Sequence, residues 1–109
     1  MEKNYMELEV ADEFNKIINS NTKLVVVDFY AEWCMPCLML SPILEDLAEQ
    51  MKNVNFIKVN TEDNEELASR FNISSIPCLI IFKNGKEVGR IIGNHSSDVI
   101  EEKIRGYLD

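Results

Sequence analysis

With 109 residues the chain is long enough to bury one core without cross-links, and its make-up, 46% apolar and 28% charged, is that of a folded globular protein rather than a disordered one. Its 11 basic and 19 acidic side chains give a formal charge of −8 with no basic stripe, which excludes nucleic acid as a partner and leaves acidic stretches such as "NTEDNEE" and "VIEEKI" as solvated surface. The longest apolar runs, "LVVV" and "CLIIF", are far too short to cross a bilayer, and the charged opening "MEKNYMELEV" has no secretory signal, so a cytoplasmic chain that does not enter membranes is expected.

In chain order, a short strand is expected near Met6–Val10. Phe14, Ile17 and Ile18 then share one face of a helix with Asp12 as a candidate cap. Residues 23–30, "KLVVVDFY", are β-branched, aromatic and almost continuously apolar, as in a central strand covered on both faces. A longer helix carries Leu40, Ile43, Leu44, Leu47, Ala48 and Met51 in one stripe, with Pro42 inside it as a kink. "VNFIKVN" at 54–60 is the next strand, and Leu67, Ala68 and Phe71 mark a third helix with Asp63 and Glu66 at capping-box spacing before it. "CLIIFKNG" and "KEVGRIIG" meet across Asn84-Gly85, a strong hairpin signal. A last helix from about Ser97 turns Val99, Ile100, Ile104, Tyr107 and Leu108 inward. Strands alternating with helices imply an α/β domain spanning 1–109, with a parallel core extended by antiparallel strands.

The chemistry concentrates in "DFYAEWCMPCLML". Cys34 falls where the strand ends and the long helix begins, and there the free N–H groups and the positive end of the helix dipole favour a thiolate. Three residues on, in the first turn, Cys37 lies on the same face at a separation a disulfide can span. Pro36 occupies that turn, where its missing N–H costs little. A redox switch therefore suits the pair, provided the Cys34 sulfur is accessible. A metal site is the alternative, since Cys78 and His95 would complete a Cys₃His set by count, although their spacing is far from that of a zinc ribbon. An inert disulfide is the other, although a reducing compartment disfavours it. Asp28, in the middle of the apolar run, reads as an unpaired buried charge whose pKa is raised by desolvation, or else as an exposed residue at a strand end.

"VVVDFYAEWCMPC" resembles the active-site segment of the thioredoxin family, W-C-x-P-C preceded by D-F-W/Y-A. The resemblance continues through "SPILEDLA", "FIKVNTEDN" and "FNISSIPCLIIFKNGKEVGRIIG" to the closing helix, and so covers essentially the whole chain. It implies the family's fold, a central mixed parallel and antiparallel sheet with helices on both faces.

It also implies roles. Cys34 would attack a disulfide in a partner protein and Cys37 would resolve the mixed disulfide, leaving the pair oxidised. Asp28 would assist deprotonation of Cys37, with Lys58 approaching it; a surface lysine is the plainer reading of Lys58. Pro77 matches the family's cis-proline, with a trans turn as the alternative, and the Ile76 backbone before it would pair with an extended substrate segment. Trp33, with Met35 and Pro36, would wall the contact surface, and Gly93 would let a partner backbone approach; core packing and a simple strand end are the plainer readings of Trp33 and Gly93. The expected partners are oxidised target proteins and a thioredoxin-reductase-type electron donor, acting on a monomer that needs no bound cofactor and no metal. The chain departs from the family at four places, mildly at Tyr30, where many relatives carry tryptophan, and further at three others. Met35 replaces the usual glycine and adds bulk beside Cys34, Leu38 stands where a lysine or arginine is common, and Cys78 follows Pro77 where threonine is usual. Cys78 reads first as an inert small core residue, and second as a regulatory thiol or metal ligand. Glutaredoxin- or isomerase-like activity, and a metal-binding module on the same fold, are the competing functions.

Overall fold

Five strands and four helices follow one another as β1 (Tyr5–Glu7), α1 (Asp12–Ser20), β2 (Leu24–Tyr30), α2 (Met35–Gln50), β3 (Val54–Asn60), α3 (Glu65–Arg70), β4 (Cys78–Lys83), β5 (Lys86–Ile92) and α4 (Ser97–Arg105). The structure, a computed structural model, describes residues 4–8, 12–20 and 23–108, with the side chains of Asp12 and Ser20 outside that description. The strands form one sheet in the order β1-β3-β2-β4-β5. β1 and β2 both run parallel to β3, whereas β4 is antiparallel to β2 and to β5. This is the mixed sheet that the alternation of strands and helices implies.

The continuous apolar run of β2 has a direct physical cause. Its neighbours are β3 and β4, so it never reaches a sheet edge, and both faces are roofed by helices. On one face Leu40, Leu44 and Leu47 of α2, Met51 just after it, and Ile100 and Ile104 of α4 pack on Leu24, Val26, Phe56 and Ile81. On the other, Phe14 and Ile18 of α1 and Leu67 of α3 cover Val25, Val27, Phe29 and Ile80. Phe14, Phe71 and Phe82 meet there with ring centroids 5.4–5.7 Å apart. The turn between β4 and β5 holds both Asn84 (φ 53°) and Gly85 (φ 81°) in the left-handed region, the conformation that makes Asn-Gly a hairpin signal.

Several expectations need correction. β1 lies at Tyr5–Glu7, earlier than the Met6–Val10 expected, and Val10 lies outside the described residues. The side chain of Asp12, the proposed cap, also lies outside that description. The Asp63–Glu66 capping box does not form: Asn64 is the cap residue of α3 and makes no side-chain cap bond. Instead Oδ1 of Asn60 accepts the N–H groups of Glu62 at 2.9 Å and Asp63 at 3.3 Å, so a turn anchored on Asn60 carries the chain into α3. Val99 was expected inward but is 49% exposed. One residue before Ile100 on a helix is rotated by about 100°, off the face that Ile100 and Ile104 bury. α2 continues across Pro42, whose missing N–H leaves the carbonyl of Leu38 without its usual helical donor.

Candidate active site

The loop after β2 turns through Ala31, whose carbonyl accepts the N–H of Cys34 at 3.2 Å, and so delivers Cys34 to the start of α2. Cys34 has extended backbone angles (φ −86°, ψ 105°) and is the N-cap of the helix: its carbonyl accepts from Leu38 at 3.1 Å and its sulfur accepts the N–H of Cys37 at 3.2 Å. Pro36 sits within the first turn. Cys34 and Cys37 form a disulfide with a Cα–Cα distance of 5.2 Å, a closure that stays within one helical turn. In this oxidised form the two are only 3% and 4% exposed, so the expectation of an accessible Cys34 does not hold for the disulfide. The pair lies under the surface with Ala31, and Tyr30 and Ile76 pack against it.

The surface around the pair is apolar. Trp33 is 70% and Met35 65% exposed, so Trp33 is not a core residue, and Pro36 and Leu38 are exposed as well. Across the pair from them runs the segment before β4, where the Ile76-Pro77 peptide is cis. The Ile76 carbonyl oxygen lies 3.9 Å from the Cys34 sulfur. The Pro77 carbonyl accepts the N–H of Gly93, at the end of β5, at 2.9 Å. Gly93 has φ +85°, and a Cβ there would meet nothing within 4 Å. The glycine thus keeps an open approach at a backbone angle other residues resist. Trp33, Met35, Pro36, Ile76, Pro77 and Gly93 are therefore brought around Cys34 and Cys37.

Asp28 is 3% exposed in the centre of β2. Strand register sets Glu7 of β1, Lys58 of β3 and Asp28 of β2 in one row, acid, base, acid. Lys58 is half-buried, its Nζ 5.4 Å from the ring centre of Tyr5 and 4.6 Å from that of Tyr30, so it lies between two aromatic rings rather than free on the surface. Asp28 is not the unpaired charge expected from sequence. The Tyr5 hydroxyl donates to its Oδ2 at 2.5 Å, while Oδ1 is buried without a partner among the described residues. Burial pushes the Asp28 carboxyl up to about 6, against the Tyr5 hydrogen bond and the Lys58 charge, which favour the carboxylate. Burial likewise holds the hydroxyls of Tyr5 and Tyr30 above the usual phenol range; the Asp28 charge adds to this at Tyr5, and a hydrogen bond to Glu7 adds to it at Tyr30.

Sequence reasoning missed Tyr5, Glu7 and the way Tyr30 joins them, its hydroxyl donating to Glu7 Oε1 at 2.6 Å. A signal was present: Tyr5 and Glu7 alternate on β1, and Tyr30 follows Asp28 by two on β2, so each pair shares one face. Thr61 also ties the turn after β3 to this region, its N–H donating to the Tyr30 carbonyl at 2.9 Å. Cys78 follows Pro77 in the chain but points to the opposite side of the sheet, among Phe29, Ile80 and Phe82, and burial pushes its thiol up. His95 hydrogen-bonds the Ile92 carbonyl at 2.9 Å. Among the described residues no helix is long and apolar enough to cross a membrane.

Comparison with known proteins agrees with this geometry. The sequence model of the thioredoxin family matches residues 6–106. A thioredoxin of Chlamydia caviae is 48% identical over 88 residues, 81% of this chain and 84% of that protein. Thioredoxin-2 of Saccharomyces cerevisiae is 42% identical over 87 residues, 80% of this chain and 84% of the relative. The fold superposes on a crystal structure of a thioredoxin from Nicotiana alata with a TM-score of 0.91 at 28% identity, covering 100% of this chain and 96% of the other. A disulfide that caps a helix beside a cis-proline, on this fold and with these relatives, identifies the chain as a member of the thioredoxin family, a protein-disulfide oxidoreductase with Cys34–Cys37 as its redox pair.

Proposed function

We infer that the dithiol form attacks disulfides in folded target proteins through Cys34 and that Cys37 completes the exchange. The Cys34 thiolate displaces one sulfur of the target, which leaves as a thiol, and forms a mixed disulfide. Cys37 then loses its proton, its sulfur attacks Cys34, and the second target sulfur departs. Two electrons pass to the target, and the Cys34–Cys37 disulfide forms. The observation that carries this assignment is the N-cap position of Cys34: its sulfur accepts a main-chain N–H and lies at the positive end of a 16-residue helix, the setting that stabilises a thiolate. Cys37, one turn in and with no such cap, is the natural resolver.

Asp28 takes the Cys37 proton during resolution, and Lys58 tunes that carboxylate through its charge. The target segment lies extended across Ile76, Pro77 and Gly93, between the exposed faces of Trp33, Met35 and Pro36. Cys78 takes no part; its packing among Phe29, Ile80 and Phe82 supports the inert reading. The whole chain acts as one thioredoxin domain, as a monomer in the cytoplasm, where a thioredoxin-reductase-type donor returns the disulfide to the dithiol. Reduction of insulin disulfides with dithiothreitol as donor tests the activity. Turnover that needs both Cys34 and Cys37 is expected, and turnover that survives replacement of either overturns the assignment.

A further inference from the structure

We propose that Tyr5 is a positioning residue for Asp28, its hydroxyl holding Oδ2 so that Oδ1 is the oxygen that receives the Cys37 proton. The inference rests on the proton-acceptor role of Asp28 given above and adds the residue that sets which oxygen acts. Three observations carry it. Tyr5 is itself buried, at 8% exposure, and its hydroxyl donates to Oδ2 at 2.5 Å. Its ring is fixed from two sides, by edge-on packing on Phe56 with centroids 6.5 Å apart and by the Lys58 ammonium. The other oxygen of the carboxylate, Oδ1, is fully buried and, among the described residues, meets no hydrogen-bond donor, so the protein engages the two oxygens differently.

A phenylalanine would fill the same space without burying a hydroxyl, which costs free energy unless the hydroxyl is hydrogen-bonded. The buried hydroxyl of Tyr5 is satisfied by Asp28. In the resolving step the proton passes from the Cys37 thiol to Oδ1, the freed sulfur electron pair forms the bond to Cys34, and the target sulfur leaves with the electrons of the broken bond. Throughout, Oδ2 keeps the Tyr5 hydrogen bond, which stabilises the charged carboxylate and keeps its plane from turning. The other charged and titratable groups that act on Asp28 are Glu7 on β1 and Lys58 on β3, with Tyr30 two residues further along β2 and Cys78 on β4 across the sheet.

The experiment follows release of reduced target by the dithiol protein from pH 5 to 8 in the unmutated protein, Tyr5→Phe, Asp28→Asn and the double variant. The unmutated protein is expected to show an inflection near pH 6. Tyr5→Phe keeps the ring and removes a donor to the carboxylate, so the inflection should move up by about one pH unit, slowing release about fivefold at pH 6 and about twofold at pH 7. Asp28→Asn should remove the inflection, and adding Tyr5→Phe to it should change nothing further. A Tyr5→Phe profile that superimposes on the unmutated one, while Asp28→Asn is slow, overturns the role of Tyr5 and leaves that of Asp28 standing. An unchanged rate in Asp28→Asn overturns both. Should Tyr5→Phe fail to fold, carbon-13 NMR of the unmutated protein reads the same coupling. The Asp28 carboxyl and the Tyr5 ring carbon bearing the hydroxyl should then shift with one midpoint, and a Tyr5 signal that stays still while Asp28 titrates overturns the proposal.

Discussion

The sulfur of Cys34 accepts the backbone N–H of Cys37 at 3.2 Å, so the residue that opens α2 also caps it. This relationship predicts different behaviour for two superficially equivalent replacements. In Cys34→Ser a hydroxyl, itself a good cap, takes the place of the sulfur, so the helix should persist while turnover falls to the background of uncatalysed exchange. Cys37→Ser should still capture targets but lack the group that releases them, so mixed disulfides should accumulate on non-reducing gels. Equal trapping by both variants would show that either sulfur can attack.

Asp28 makes stability depend on pH in a stated direction. Its carboxyl sits at about 6 in the fold against an ordinary value of 3.8, so between those values the folded state binds more protons than the unfolded chain. Stability is then highest in acid as far as this group is concerned, and it falls as pH rises from about 4 to 6, by roughly 3 kcal/mol over the whole interval. Asp28→Asn should abolish this loss and be the more stable protein at pH 7, while exchange slows. Urea melts at pH 4.5 and 7 check the sign: a variant less stable than the parent at pH 7 would mean that Tyr5 and Lys58 outweigh desolvation.

Gly93 is the cleanest test of the contact surface. At φ +85° an alanine costs about 1–2 kcal/mol of backbone strain, yet its Cβ would touch nothing within 4 Å. The strain should lower thermal stability slightly, and the methyl group should stand where a target backbone approaches beside Pro77. Gly93→Ala is therefore expected to reduce kcat/KM for a folded protein disulfide by about tenfold, near 1.4 kcal/mol of lost contact, and to leave reduction of a small aromatic disulfide unchanged. Equal losses for both substrates would place the effect on the cysteines instead.

The elements that sequence made legible are those whose cause is local. The unbroken apolar run of β2 reports burial on both faces, Asn84-Gly85 reports its own backbone angles, and W-C-M-P-C at a strand-to-helix junction reports its own geometry. What was not legible depends either on partners far along the chain or on which of several neighbouring side chains takes a local role. β1 has only three residues, so the alternation of Tyr5 and Glu7 places them on one face without showing what they meet, and what makes Tyr5 matter is its approach to Asp28 from 23 residues away. The entry to α3 was misread because the side chain of Asn60, rather than that of Asp63, satisfies the local N–H groups. Val99 was misread because a one-residue step on a helix separates the buried from the exposed face.

Cys78 gives the last prediction, because it stands beside Pro77 in sequence and away from the redox pair in space. Its neighbours Phe29, Ile80 and Phe82 belong to the face covered by α1 and α3, whereas Cys37 belongs to α2, on the other side of the sheet. It is 1% exposed, and burial, partly offset by the Arg90 charge, holds its thiol protonated. Alkylation of the reduced native protein should therefore modify Cys34 first and leave Cys78 untouched until the protein unfolds. Cys78→Ala should keep full turnover and cost about 1 kcal/mol, the loss of one small buried group. Cys78→Ser should also keep turnover but melt lower, because its hydroxyl would be buried among aromatic and aliphatic side chains. A selective loss of activity in Cys78→Ala, with the melting temperature unchanged, would give this thiol a place in the exchange that its orientation argues against.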